Sequence, residues 1–296
     1  MRAKLTSRPN IAQVITDAIV SKLAQGVKPW RKTWTGAPIS RPLRVSGEAY
    51  SGINCIFLWV VADLNGYMSP HWMTYRQAEA LGGHVRRHQK SSWAVFYKVL
   101  GPDDAHDDPE SNEHSSVRRV MRHFHVFNAD QIDGLPARFH PNTAFVPLQP
   151  CELRAEIDAL FERIPVTVSH GGSIACYRPS IDMIELPHPN AFENYTEYAG
   201  TRLHEIFHAI GSKHRLNWNF KARFGDHAYH FEECVVELAS AIASADLGLP
   251  DVDLDNHAAY IGHWIAIFKD DPKAIFHAAA KAEEAVTYFK QFASRK

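Results

Sequence analysis

Residues 203–208 read Leu-His-Glu-Ile-Phe-His, and the embedded H-E-x-x-H constrains the fold more than any other feature of the chain. On a helix, His204 and His208 lie one turn apart on a shared face, with Glu205 beside them. Such a face grips a divalent ion only if the helix is buried and a second element brings up another ligand. A chain holding 18 histidines meets this pattern by chance often enough that context must carry the reading. The context is favourable. Leu203, Ile206, Phe207 and Ile210 are apolar, as a helix shielding an ion requires. The helix is expected over about 195–210, with Gly211 where a C-terminal glycine cap belongs.

A catalytic ion needs a third protein ligand and an open position. A second helix, expected over about 228–247 and stopping at Gly248, carries Glu232, Glu233 and Glu237. In the zincin arrangement with Glu as third ligand, that Glu comes from a nearby helix. An acid one turn later orients a ligand histidine. Glu233 with Glu237 at i+4 matches this spacing; Glu232 points about 100° away around the helix and is the alternative. The ion, Zn2+ or another divalent metal such as Mn2+, would lower the pKa of a water in the open position, and Glu205 would accept its proton. The competing reading is a pair of helical histidines satisfied by Glu237 and backbone groups, with no metal. His214, His227 and His230 are read as surface or capping histidines. Ile174 to Tyr177 and Asp182 to Ile184 form an expected edge hairpin, to which an extended peptide can add as a strand. Tyr177 is read as a packed aromatic, with an oxyanion donor as the alternative.

The first 100 residues hold 14 Lys+Arg against 4 Asp+Glu, although the whole chain carries a net charge of only -1. A basic first third joined to an acidic remainder points to a polyanionic partner for the first part. Five of the seven tryptophans lie in that same stretch. Cationic grooves with exposed aromatic rings hold single-stranded nucleic acid by charge and base stacking. The candidate contacts are Lys28, Trp30, Arg31, Lys32 and Trp34 in one loop, with Asn54, Trp72, Arg76, Arg86, Arg87 and Lys90. Trp59, among Leu58, Val60 and Val61, is read as core. No sequence-specific reader is recognisable, so binding is expected to be non-specific and salt-sensitive. The four cysteines form no C-x-x-C pair, which suits a reducing cytosol. With neither a signal peptide nor a membrane-spanning run, a cytoplasmic protein is expected.

The expected class is α+β in two domains. The first, residues 1–140, carries helices over 10–26, from about Ser51 and over 74–81. Strands are expected at 93–100 and 118–127, paired across a flexible acidic loop at 101–116. Prolines at 136, 141, 147 and 150 mark the boundary. The second domain, 150–296, opens with a helix at 151–163. Short strands near 166–168, 174–177 and 181–186 follow, then the two helices of the metal motif. The C-terminal part is helical, with Tyr260, Ile261, Trp264, Ile265 and Phe268 on one face.

The motifs together resemble the ArdC antirestriction proteins of conjugative plasmids. In the first domain the resemblance rests on Gly26 to Trp34, Tyr50 to Asn54, Trp72 to Gln77, Leu81 to Gly83, and Val126 to Asn128 with Gln131. In the second it rests on Ala175 to Pro179, Asp182, Pro187, the H-E-x-x-H, Glu232 to Glu237, and His257 to Tyr260. Here Ile206 and Phe207 fill a motif centre that the family usually writes H-E-L-x-H. The resemblance implies a single-stranded-DNA-binding domain joined to a zincin-like metallopeptidase domain, protecting incoming plasmid DNA from host restriction. An unidentified protein or peptide is the implied substrate. Two rival functions are a DNA-binding shield whose metal is only structural, and a general cytosolic metalloprotease.

Overall fold

A computed structural model describes residues 10–28, 30, 40–100, 118–140, 150–249 and 258–293. The chain forms two compact units that are not consecutive stretches: Met1–Arg41, Ser51–Leu64 and Thr143–Lys296 make one, Pro42–Tyr50 and Asn65–Asn142 the other. Helix α1 (Ile11–Leu23) starts at Asn10, whose side chain caps Gln13 N–H, and buries Ile11, Ile15, Ile19 and Leu23. Its exit uses Gly26 at φ +74, the left-handed geometry that glycine adopts without strain. Helix α2 (Ile53–Asn65) is apolar nearly all round, and Cys55 to Val60 are buried.

In the second unit, β1 (Trp72–Met73) leads into α3 (Tyr75–Ala80), which opens with a capping box between Thr74 and Gln77. Strand β2 (His84–Val85) pairs with β5 (Ile132–Asp133). The long strands β3 (Ser92–Leu100) and β4 (Arg118–Asn128) pair antiparallel, as expected, and β1 joins the free edge of β4. Met73, Ala78, Ala129, Ile132, Leu135 and Phe139 form the core. Gly83 is needed for space: a Cβ there would lie 2.6 Å from Leu135 Cδ2. Asn128 and Gln131, two of the family-like residues, build a buried polar corner. Gln131 Oε1 accepts from Asn128 N–H at 2.8 Å, and Asn128 Nδ2 donates to the Ser69 carbonyl at 2.9 Å. The acidic loop at 101–116 lies outside the described residues.

The first unit resumes with α4 (Pro150–Phe161), then β6 (Thr167–His170), β7 (Cys176–Arg178) and β8 (Met183–Leu186). Their order is β6-β8-β7, parallel then antiparallel, so the expected hairpin exists and β7 is an edge. Helices α5 (Tyr195–Gly211), α6 (Lys221–Phe224), α7 (Ala228–Leu247), α8 (Ala258–Asp270) and α9 (Ala274–Ala293) complete it. Leu203, Ile206, Phe207 and Ile210 of α5 are fully buried. Gly211 does not cap α5 as expected. It is the last helical residue, and it must be glycine because a Cβ would meet the Trp218 ring at 2.1 Å. Gly248 does end α7, at φ 68 and ψ 20.

The N-terminal segments are tied into this unit by charge as well as by apolar contact. Arg41 Nη2 donates to both carboxylate oxygens of Glu283 of α9, at 3.0 and 2.8 Å, and Nη1 donates to Asp246 of α7 at 3.3 Å. Glu283 also accepts from Gly52 N–H at the start of α2, at 3.0 Å. Thr16 of α1 donates to the Pro272 carbonyl at 2.7 Å. A fragment of residues 150–296 loses all of these partners. We expect it to lack the cooperative thermal transition of the full chain, measured by circular dichroism. A fragment that melts like the intact protein would show α1 and α2 to be dispensable.

Candidate metal centre

Helical spacing on α5 brings His204 and His208 to one face, their ring centroids 5.0 Å apart. Glu233 of α7 stands against both: its carboxylate oxygens lie 3.6 Å from His204 Nε2 and 3.4 Å from His208 Nε2. Two ligands that each sit about 2 Å from one ion, at a roughly tetrahedral angle, are spaced in this way. One atom from each of the three residues falls within 4.8 Å of the others. All three lie in the protein interior or close to it, and Glu205 is buried beside them.

Charge within the group is strongly coupled. Burial pushes the Glu233 carboxyl up, but hydrogen bonds from His204 and His208 outweigh it and hold the group far below the usual carboxylate range. Burial lowers His208, but Glu232 and Glu233 together push it up to about 10. Glu232, the alternative ligand, takes a different place. It meets His208 Nδ1 at 3.1 Å, the position from which a carboxylate orients a ligand imidazole. Glu237, expected in the orienting role, forms a buried ion pair with Lys28 Nζ at 3.0 Å.

The centre opens into a cleft of about 850 Å³ lined by β7, α5 and α7 residues together with Tyr260 of α8. Tyr229 and Tyr260 both line it, their hydroxyls 3.0 Å apart. Burial, then Tyr260 and Glu233, raises the Tyr229 phenol far above its ordinary value, so it stays a hydrogen-bond donor. Tyr229 lies four residues before Glu233 on one helical face, a spacing that would have marked it in the sequence. Tyr177 also lines the cleft, but its hydroxyl donates to Asp182 at 2.7 Å. Asp182 in turn accepts from Arg215 at 2.8 and 3.1 Å, and Arg215 donates to the Ala209 carbonyl near the end of α5 at 3.0 Å. This clamp fixes the β7–β8 hairpin to the helix that carries the motif.

The residues named as nucleic-acid contacts scatter. Lys28 is buried on Glu237, Trp30 is 1% exposed against Trp264, and Trp72 is 1% exposed beside Tyr67. These three cannot meet a ligand from solvent, because long-range packing has claimed their side chains. Asn54 is half-buried on the first turn of α2. Arg76, Arg87 and Lys90 are exposed. Arg86 is exposed too, but pairs with Asp133 at 3.3 Å and donates to the Asp130 carbonyl. Arg31, Lys32 and Trp34 lie outside the described residues. Among the described residues no helix is long and apolar enough to cross a membrane.

A buried helix with two histidines, a neighbouring glutamate and an adjacent small mixed sheet define a zincin-like metallopeptidase fold, and the model described as a zincin-like metallopeptidase matches residues 155–281. The model of the N-terminal domain of the anti-restriction factor ArdC matches residues 9–127. Crystal structures of the antirestriction ArdC protein from plasmid R388, metal-free and Mn(II)-bound, superpose with TM-scores of 0.81 and 0.79 at 35% identity. They match 97% of this chain and 98% and 99% of theirs. The protein y4eC of Sinorhizobium fredii is 36% identical over 93% of this chain and 90% of its own length. Two Escherichia coli DNA primases TraC are 33% and 35% identical, but this chain spans only 20% and 26% of their lengths. The chain belongs to the ArdC antirestriction family.

Two measurements probe the geometry. Removing one partner of a buried ion pair costs on the order of 3–5 kcal/mol, whereas replacing both with apolar groups is often neutral. Lys28→Met is therefore expected to melt well below wild type, and Lys28→Met with Glu237→Met to recover most of the loss. Equal melting of single and double variants would refute the coupling. Asp182 is lowered chiefly by its Arg215 hydrogen bond, so its contribution is present above about pH 4 and fades as acid protonates the folded carboxylate. Asp182→Asn should melt below wild type at neutral pH, with the gap closing as the pH falls below the ordinary carboxylate range.

Proposed function

We propose that this protein is an antirestriction factor with a divalent-metal-dependent peptidase centre in one compact unit and a single-stranded-DNA surface in the other. The observation that carries the enzymatic half is the convergence of His204, His208 and Glu233 at a cleft, with Glu205 one residue from a ligand. Two borderline nitrogens and one carboxylate suit Zn2+ and also accept Mn2+, the ion of the R388 relative. A divalent ion held there would supply Lewis acidity and make water a nucleophile near neutral pH. Glu205 accepts the proton of the attacking water and passes it to the leaving nitrogen. The Tyr229 hydroxyl lines the cleft and can donate to a carbonyl oxygen that gains charge there. Edge strand β7 offers backbone groups to an extended peptide lying along the cleft. A protein or peptide is the substrate class that this combination fits.

Glu205→Gln separates enzyme from shield. Metal content and melting temperature should match wild type, while hydrolysis of a fluorogenic peptide pool by metal-loaded protein falls about 100-fold or more. Glu233→Ala should lose the metal itself. If plasmid transfer into a restricting host is protected equally by wild type and Glu205→Gln, the peptidase reading fails and the shield reading stands.

The nucleic-acid half rests on the β3–β4 hairpin rather than on the tryptophan-rich loop. Phe96 and Tyr97 are consecutive strand residues, 47% and 55% exposed, and so present one aromatic ring on each face. Phe96 lies opposite Arg122, with Phe124 at 6.1 Å, and His123 and His125 share the face of Tyr97. Arg76, Arg87 and Lys90 add exposed positive charge to the same unit. Stacking of one base on an aromatic contributes about 1–3 kcal/mol. Phe96→Ala with Tyr97→Ala should therefore weaken oligo-dT binding by about tenfold or more in fluorescence anisotropy, with the salt dependence unchanged. Unchanged affinity would move the bases elsewhere.

A further inference from the structure

Three histidines outside the H-E-x-x-H centre come together where α7 begins. His227 ends the turn before α7, His230 lies in its first turn, and His263 comes from α8. One ring nitrogen of each falls within 4.8 Å of the other two. The His230 and His263 rings lie face to face, centroids 3.7 Å apart at 17°. The His227 centroid is 6.5 Å from each. Among the described residues, His230 Nδ1 is buried and has no hydrogen-bond partner. A buried ring nitrogen left unsatisfied is costly unless something occupies it.

We propose that His227, His230 and His263 form a second cation site, selective for late first-row ions such as Zn2+, Ni2+ or Cu2+. The ligand set is all imidazole. Those ions favour imidazole nitrogen, whereas Mg2+, Ca2+ and Mn2+ favour oxygen. The site thus differs in kind from the two-histidine, one-carboxylate centre. Three nitrogens about 2 Å from one ion are spaced roughly 3.3 Å apart, so the cluster must contract. His227 and His263 are exposed, and exposed rings change rotamer within nanoseconds. The parallel stack must open by a ring rotation for both lone pairs to converge, and solvent fills the remaining positions.

The cluster also has a mechanical consequence. Trp264, next to His263, donates its indole N–H to the His230 carbonyl at 2.9 Å, so α8 already rests on the start of α7. An ion across the three rings adds a second tie between these elements. That tie lies beside Tyr229 and Tyr260 at the cleft. Binding to the folded state alone raises its stability.

The test uses untagged full-length protein and isothermal titration with Ni2+, with Mn2+ as a parallel probe. Two equivalents of Ni2+ are expected for wild type and one for His263→Ala and for His227→Ala. Glu233→Ala should retain the equivalent that the two histidine variants lose. The Mn2+ stoichiometry should be unchanged by His263→Ala. Ni2+ should also raise the melting temperature of Glu233→Ala, and not that of Glu233→Ala with His263→Ala. Equal Ni2+ stoichiometry in wild type, His227→Ala and His263→Ala overturns the site. Both histidines are solvent-facing, so circular dichroism should report an intact fold in either variant. Failure of the peptidase reading leaves these stoichiometries untouched.

Discussion

Two carboxylates one turn apart on α7, Glu233 and Glu237, are both buried, and neither can stay charged there without a cation against it. Leaving one unmatched costs several kcal/mol, a large fraction of a domain's net stability. Glu233 is met by the two imidazoles of α5. Glu237 is met by Lys28, more than 200 positions earlier in the sequence. Helical periodicity aims both acids from one face of α7, so a shift of α7 that favours one match disturbs the other. The carboxylate that meets the two α5 imidazoles and the anchor of the N-terminal segment are thereby set by the same helix.

That coupling accounts for the unusual make-up of the compact units. The family models divide the chain along its length, at 9–127 and 155–281, whereas packing assigns residues 1–41 and 51–64 to the unit that holds His204, His208 and Glu233. Arg41 repeats the logic of Lys28: a cation from the N-terminal segment is buried against Asp246 and Glu283. The paired charges restrict which surfaces of α7 and α9 the segment can meet, which apolar burial alone does not. The N-terminal stretch therefore completes the unit to which its helices belong.

The sequence made local periodicity legible and left long-range partners hidden. The α5 and α7 boundaries and the pairing of β3 with β4 follow from spacing and residue type within a few residues. His204, His208 and Glu233 were legible because i+4 spacing on two helices fixes a shared face. Lys28 and Trp30 misled because a basic, aromatic loop looks solvent-facing unless Glu237 and Trp264 are known to lie above it. Glu232 stands where Glu237 is expected, because which acid meets His208 depends on how α7 rotates against α5. His227 is exposed, as read, but its closeness to His230 and His263 is not legible, since the third ring arrives from α8, over 30 positions later. Gly211 was misassigned because the demand on it is steric, from Trp218, and leaves no positive-φ signature.

The same partition changes the meaning of the positive charge in the first 100 residues. Lys22, Lys28 and Arg41 are all consumed by Asp63, Glu237 and the Asp246–Glu283 pair inside one unit, so they contribute little field at the surface. Among the described residues of the other unit, Arg76 on α3, Arg87 and Lys90 after β2, and Arg122 on β4 are exposed. There the hairpin exposes rings on both faces, which a strand buried against a core would not do. Phe96, Tyr97 and Arg122 thus stand exposed on one pair of strands. Some of the cations are buried against acids within one unit and others are exposed on the second, so the basic bias of the sequence is the sum of two separate placements.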